Sequence, residues 1–232
     1  VRHDIDPKVG VRFVDVEDEP DHKEQLCNAM VRVYRATIRP GGRTLYHRHC
    51  RDTVYVVAGG GTFRSEEPGR PRQHTSVGRS VPRIRQLGWL LRKKLLGSTS
   101  LPDGTVLVQH HGEHPLVHRV CAAPHNGSAL QLVGVELRQP SGATEPPPDR
   151  FAGSTLEYRD PRCAVYRIRI GPMTDIEAAL RRPTVIVGVH GSPLLGESVI
   201  APAEIAWLDA DAALRLHNHT PDLAECIAVT LA

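Results

Sequence analysis

Two histidines two residues apart, His47 and His49, are the first residues in this chain with types and spacing suited to chemistry. They sit in GGRTLYHRHCRDTVYVVAGGG (41–61), between Gly41 and a turn at Gly59-Gly60-Gly61. On a β-strand, residues i and i+2 project from one face, about 6–7 Å apart along the chain. Two imidazoles so placed can grip one metal ion from one wall; the bland alternative is an inert, solvent-facing pair. A third ligand must come from another strand. The segment 103–137 holds five histidines. His118, which opens the strand-like HRV, is preferred, and His114 is the fallback. The two share parity, but four residues of strand span about 13 Å, too far for both to hold one ion.

The elements that must position these residues are short and apolar. The segments 29–40, 52–59, 104–111, 129–140, 164–172, 183–191 and 225–232 are rich in Val and Ile and bounded by Gly, Pro or Asp, as strands are. In 29–40, Val31, Val33, Ala36 and Ile38 alternate with Arg32, Arg35 and Arg39. No long amphipathic helix separates the strands, so the expected fold is all-β, a sandwich or barrel. Aromatics are only 4% of the 232 residues, which leaves the core to aliphatic side chains. Residues 79–97 differ: six positive charges, no acid, one Trp and five Leu. Pro82 and Gly88 confine a short helical insertion there to roughly Leu87–Leu96, as a cover over the strands or a cationic lid. The Pro-rich stretch 140–150 reads as a semi-rigid linker and sets a boundary near residue 148, between an amino-terminal domain (1–148) and a carboxy-terminal one (149–232). Ile170-Gly171-Pro172 echoes Arg39-Pro40-Gly41, and LQLVGVEL (130–137) is echoed by ECIAVTL (225–231), the mark of a diverged internal duplication.

Gly41, His47-x-His49, Thr53 and Gly60 are similar in spacing to the first motif of the cupins, and HRV at 118–120 followed by LQLVGVEL resembles the second. The resemblance covers residues 29–137, and 164–231 resembles a degenerate second copy, so the whole looks like a bicupin: two jelly-roll antiparallel β-barrels, a metal in the first. Two departures stand out. Thr53 occupies the position of the family's ligand Glu, and Glu113-His114-Pro115-Leu116-Val117 lacks the usual Pro and Gly pattern before the His. In the second copy Glu177 and Ala179 stand where the His pair would be. His217 and His219 repeat the spacing in a probable turn, and His190 is the one histidine another strand offers them, so a structural role is expected for that half.

Among cupins, a site of three His without the Glu resembles those of iron dioxygenases. The resemblance therefore implies one divalent ion, Fe(II) first, on His47, His49 and His118, with O2 and a small organic substrate. Zn, Ni and Mn also accept imidazole. Continuing the parity of His47 and His49 puts Arg51, Thr53, Tyr55 and Val57 on the same lining. Arg51 could hold a substrate carboxylate, and Tyr55 could hydrogen-bond bound oxygen or act as an acid; Cys50 should point away. The competing functions are a metal-dependent isomerase, lyase or hydrolase, and a non-catalytic ligand-binding cupin.

Charge and cysteine bound the rest. Net charge is +3, with 22 Lys and Arg against 16 Asp and Glu over residues 1–150 and 7 against 10 beyond. That bias is too weak and unordered for a nucleic-acid binder but suits an anionic substrate in the first half. Five scattered Cys without C-x-x-C argue against a disulfide scaffold and for a reducing, cytoplasmic setting. No signal peptide and no membrane-length apolar run is seen. Exposed sheet edges suit a homodimer.

Overall fold

The computed structural model describes residues 4–6, 10–69, 75–83, 86–88, 97–139 and 153–232. The chain forms two compact units: residues 1–77 with 81–138, and 139–232 with 78–80. In the second unit the backbone amides of Arg79 and Ser80 donate to Glu157. The boundary expected near residue 148 lies outside the described residues.

Strands are numbered along the chain. The first unit has two six-stranded sheets. One runs in the order β1 (Asp4–Ile5), β2 (Arg12–Asp15), β5 (His47–His49), β11 (Leu116–Ala122), β7 (Gly61–Glu66) and β9 (Thr99–Leu101). The other runs β3 (His22–Cys27), β4 (Val31–Ile38), β12 (Leu130–Leu137), β6 (Thr53–Gly59), β10 (Val106–Gln109) and β8 (Thr75–Val77). All pairs are antiparallel except β2 with β5, which is parallel. The core is aliphatic, with Val33, Val54, Val56, Val57, Val133 and Val135 at 0% exposure. The turn from β6 to β7 needs Gly60, because a Cβ there would meet the Leu101 carbonyl oxygen at 2.4 Å.

The second unit repeats the second of these sheets. Its five strands run β13 (Ser154–Arg159), β14 (Cys163–Ile170), β21 (Ala224–Leu231), β16 (Thr184–His190) and β19 (Ile205–Leu208). The order matches β3-β4-β12-β6-β10. The registers match as well: Val31–Ile38 pairs with 137–130, and Cys163–Ile170 with 231–224. Each copy carries Val-Tyr-Arg on its second strand (33–35, 165–167) and Thr-Val-x-Val on its fourth (53–56, 184–187). A four-stranded sheet completes the unit: β15 (Thr174–Ala179), β20 (Ala213–Asn218), β17 (Leu194–Leu195) and β18 (Ser198–Val199).

Three expectations change. Arg32, one of the arginines that alternate with apolar residues in 29–40, is nonetheless 3% exposed and paired with Glu24 and Glu136 at 2.9 and 3.1 Å. β4 lies between β3 and β12 and is buried along most of both faces, so alternation understates its burial. The helical segment starts at Arg83, immediately after Pro82, whose carbonyl accepts the Gln86 amide at 3.2 Å. Proline suits the first turn because its missing N–H has no helical partner there anyway. Residues 89–96 of the expected helix lie outside the described residues. In the second unit the inward pair on β15 is Ile176 and Ala178, packed into the apolar core, while Glu177 is exposed. No helix among the described residues is long and apolar enough to cross a membrane.

Candidate metal centre

β5 and β11 bring three histidines together. His47 and His49 flank Arg48 on β5, and antiparallel register sets His47 directly opposite His118 on β11. One ligand nitrogen from each of the three lies within 4.8 Å of the other two. Ring centroids are 4.7 Å (His47–His118), 4.9 Å (His47–His49) and 5.1 Å (His49–His118) apart, with the rings 64–73° out of plane. His114, the fallback, is exposed on the turn before β11 and stands outside this cluster.

The outer nitrogen of each ring is occupied. His47 Nδ1 lies 3.0 Å from the Leu45 carbonyl oxygen. A carbonyl only accepts, so Nδ1 carries the proton and Nε2 carries the lone pair. His118 Nδ1 lies 3.0 Å from Ser65 Oγ, and His49 Nδ1 lies 3.3 Å from the Tyr55 hydroxyl. Partners of this kind orient metal-binding imidazoles and set their tautomer. Burial pulls His47 down to about 4 and His49 well below the ordinary value, the latter helped by its neighbours His47, His118, His111 and His22. Both rings are therefore neutral near pH 7, the form that coordinates. Buried neutral donors with their outer nitrogens engaged fit a divalent ion accepting nitrogen ligands.

A layer of further residues backs the three, and sequence spacing missed it. Glu19, 2% exposed, accepts the Leu45 amide at 3.0 Å and so fixes the backbone that holds His47. Burial raises its carboxyl to about 7, against the lowering effect of the amides of Asp21 and Leu45. His22 on β3 meets His47 edge-on at 4.7 Å and stacks on Tyr34 at 4.8 Å. His111 stacks on His49 at 5.0 Å, with Nε2 on Gln109 at 3.0 Å. Tyr34 hydrogen-bonds Tyr55 at 3.4 Å and lies over Gly134, where a Cβ would meet the ring at 2.4 Å. The count of histidines flagged His111 as one of five, but nothing in the sequence singled out His22, Tyr34 or Glu19.

Arg51 and Tyr55 part company. β5 ends at His49 and β6 starts at Thr53 in the other sheet, so residues 50–52 form a corner and parity does not carry across it. Arg51 sits in that corner with its side chain 42% exposed, paired with Glu17 at 3.2 Å. Tyr55 does reach the histidines. Thr53 is fully buried, and its hydroxyl donates to the Arg51 carbonyl at 2.9 Å. Thr184, its counterpart in the second unit, donates to the Arg182 carbonyl at 3.1 Å, so this contact belongs to the duplicated scaffold. Cys50 is exposed, as its parity implied.

A cavity of about 340 Å³ opens beside the centre, with Tyr55, Ser65 and His118 among its lining residues.

No family model and no curated protein sequence matches the chain. Solved structures do. AerE from Microcystis aeruginosa superposes with a TM-score of 0.54 at 9% identity, over 92% of this chain and 98% of its own. The bacterial pirin YhhW from Escherichia coli, in complex with nickel(II), superposes with 0.53 at 12% identity, over 90% of each. Salicylate 1,2-dioxygenase from Pseudoaminobacter salicylatoxidans gives 0.50 at 10%, over 87% of this chain and 68% of its own. The chain has a bicupin fold. Within it the two halves differ. In the first unit His47 pairs with His118 and His49 with Leu116; in the second, β15 pairs with β20 with Ile176 opposite Leu216 and Ala178 opposite Leu214. The clustered histidines lie in the first unit, whereas Ile176, Leu214 and Leu216 of the second unit belong to its aliphatic core.

Proposed function

We propose that this bicupin is a metal-dependent enzyme, a non-haem iron dioxygenase acting on a small organic substrate. The observation that carries the reading is the convergence of three imidazoles, each with its Nδ1 held from behind, beside a cavity large enough for a small molecule. His47, His49 and His118 would hold the ion. Fe(II) held by these three imidazole nitrogens would supply open positions for O2 and an oxygen-bearing substrate. Support from the neighbours is limited to fold: one is named as a dioxygenase and another carries nickel.

The chain's own groups then have definite tasks. If His49 coordinates through Nε2, its Nδ1–H must donate to the Tyr55 oxygen. Tyr34 donates to that same oxygen. With both approaches taken, the Tyr55 proton is left to point elsewhere, and Tyr55 borders the cavity. Burial raises its pKa well above the ordinary value, so it stays a hydroxyl near neutral pH. Tyr55 is thus a hydrogen-bond donor to a substrate oxygen and not a resting base. Ser65 holds the third histidine, and the apolar cavity walls exclude water.

Elemental analysis of the purified protein, with oxygen uptake measured after anaerobic iron loading, tests this. One iron per chain and substrate-dependent uptake are expected, with metal lost in His47→Ala and in His49→Ala. Full metal retention in both variants would remove the site; stoichiometric zinc with no oxygen uptake would favour hydrolytic chemistry.

A further inference from the structure

A second depression lies apart from the histidine-side cavity. That cavity is walled by apolar side chains, among them Phe63, Leu101, Leu107 and Leu132. The depression, about 310 Å³, is lined by Arg12 at the start of β2, by Arg119 on β11, and by Arg43, Thr44, Leu45 and Tyr46 on the segment leading into β5. The two share no described lining residue. Strand geometry explains the gathering. Arg43 forms an antiparallel bridge to Cys121, two residues along β11 from Arg119, so Arg43 and Arg119 are diagonal neighbours on one face of the sheet. His118 has the opposite parity and projects from the other face.

Arg119 is fixed before any ligand arrives. Its Nε donates to Glu66 at 2.5 Å, and its guanidinium lies 4.6 Å from the centroid of the Tyr46 ring. The Tyr46 hydroxyl donates to the same carboxylate at 3.2 Å, and Arg64 pairs with it at 2.5 Å. Glu66 is thus shared between two cations. A guanidinium has five donors, so the terminal nitrogens of Arg119 can still meet another acceptor. The backbone under Arg43 is fixed too: the Thr44 amide donates to the Val120 carbonyl at 3.0 Å, and its hydroxyl accepts the Val120 amide at 2.9 Å. Three guanidinium forks around one concave space suit oxygen anions bound in pairs of hydrogen bonds. A phosphate monoester brings three acceptor oxygens and a charge of about −1.5 to −2 at neutral pH. A carboxylate brings two oxygens and one charge. Leu45, 42% exposed, offers an apolar seat for the organic part.

We propose that this depression binds the phosphate group of a small phosphate monoester on Arg12, Arg43 and Arg119. The site is independent of the enzymatic reading above. A compact hollow fits a small ligand, whereas a nucleic acid calls for a longer basic track.

Phenyl phosphate and benzoate, titrated calorimetrically at neutral pH into the purified protein and into His49→Ala, test it. The variant separates the arginines from the histidine centre, where a phosphate could also meet a metal ion. We expect His49→Ala to bind one equivalent of phenyl phosphate as tightly as the unsubstituted protein does, and benzoate more weakly. Arg12→Ala and Arg43→Ala should each weaken phenyl phosphate roughly ten-fold, the effect of losing hydrogen bonds to a charged group. Both side chains are exposed, so the unfolding temperature should hold; either variant that folds decides. Failure of phenyl phosphate to bind, binding undiminished in the arginine variants, loss of binding in His49→Ala, or benzoate binding as tightly would overturn the proposal. So would tighter binding of an oligothymidylate without a terminal phosphate, which would give the arginines to a nucleic-acid backbone. None of these readings uses metal content or oxygen uptake, so this site and the enzymatic reading can each fail while the other stands.

Discussion

At the scale of single residues, the centre depends on atoms that never touch the ion. Ser65 Oγ orients His118 from 53 residues away in sequence. Ser65→Ala should weaken metal affinity roughly 10–100-fold, the usual effect of removing such a partner, as read by competition with a chelator. The fold should survive, because Ser65 is only partly buried. Tyr55→Phe should retain metal and lower turnover about 100-fold, the low end of what a positioned proton donor contributes; a KM change alone would assign Tyr55 to binding. His47 and His49 were legible because their spacing is itself the geometric statement: two residues apart on a strand is one face. Ser65, Tyr34, Glu19 and His22 were not legible, because each owes its place to strand pairing across tens of residues.

At the scale of elements, the corner between β5 and β6 decides which residues meet the site. Strand parity, counted through it, put Arg51 and Tyr55 on one lining, yet the corner turns Arg51 out to Glu17. Tyr55 reaches His49 from the opposite sheet. That contact needs the close approach of β12 to the Tyr34 ring at Gly134. Gly134→Ala should destabilise the protein by about 1–3 kcal/mol, as overpacking of a tight core does, measured by urea unfolding. The Tyr34 ring has to move, so the contact to Tyr55 should loosen with it. The second unit shows the alternative solution: Ala228 stands opposite Tyr166 in the equivalent register.

At the scale of the whole molecule, several buried neutral imidazoles make the metal-free protein sensitive to acid. Burial lowers His47 and His111 to about 4 and holds His22 and His49 well below the ordinary value of 6.5. Between about 6.5 and about 4 the unfolded chain binds protons that the folded chain refuses. Their contribution is therefore complete above pH 6.5 and is lost as pH falls toward 4. Glu19 works the other way: its carboxyl, raised to about 7, holds a proton in the fold that the unfolded chain releases above 4.5. Four imidazoles outweigh one carboxyl, so the urea midpoint of metal-free protein should fall on acidification from 6.5 to 4. A flat profile over that window would mean these rings are hydrated. Saturating metal should raise the midpoint at neutral pH by mass action, and more weakly at low pH, because the ligands must be deprotonated.

Strand content, the duplicated halves and the histidine pair were settled by the amino-acid sequence alone, because each follows from short-range regularities: β-branched runs, Gly and Pro punctuation, and the two-residue period of a strand. Tertiary structure decided the third histidine, the shell behind the three, the outward turn of Arg51 and the apolar character of the cavity. Those depend on which strands pair, in what register, and where a chain turns from one sheet to the other. Such contacts join residues far apart in sequence, and no local pattern encodes them.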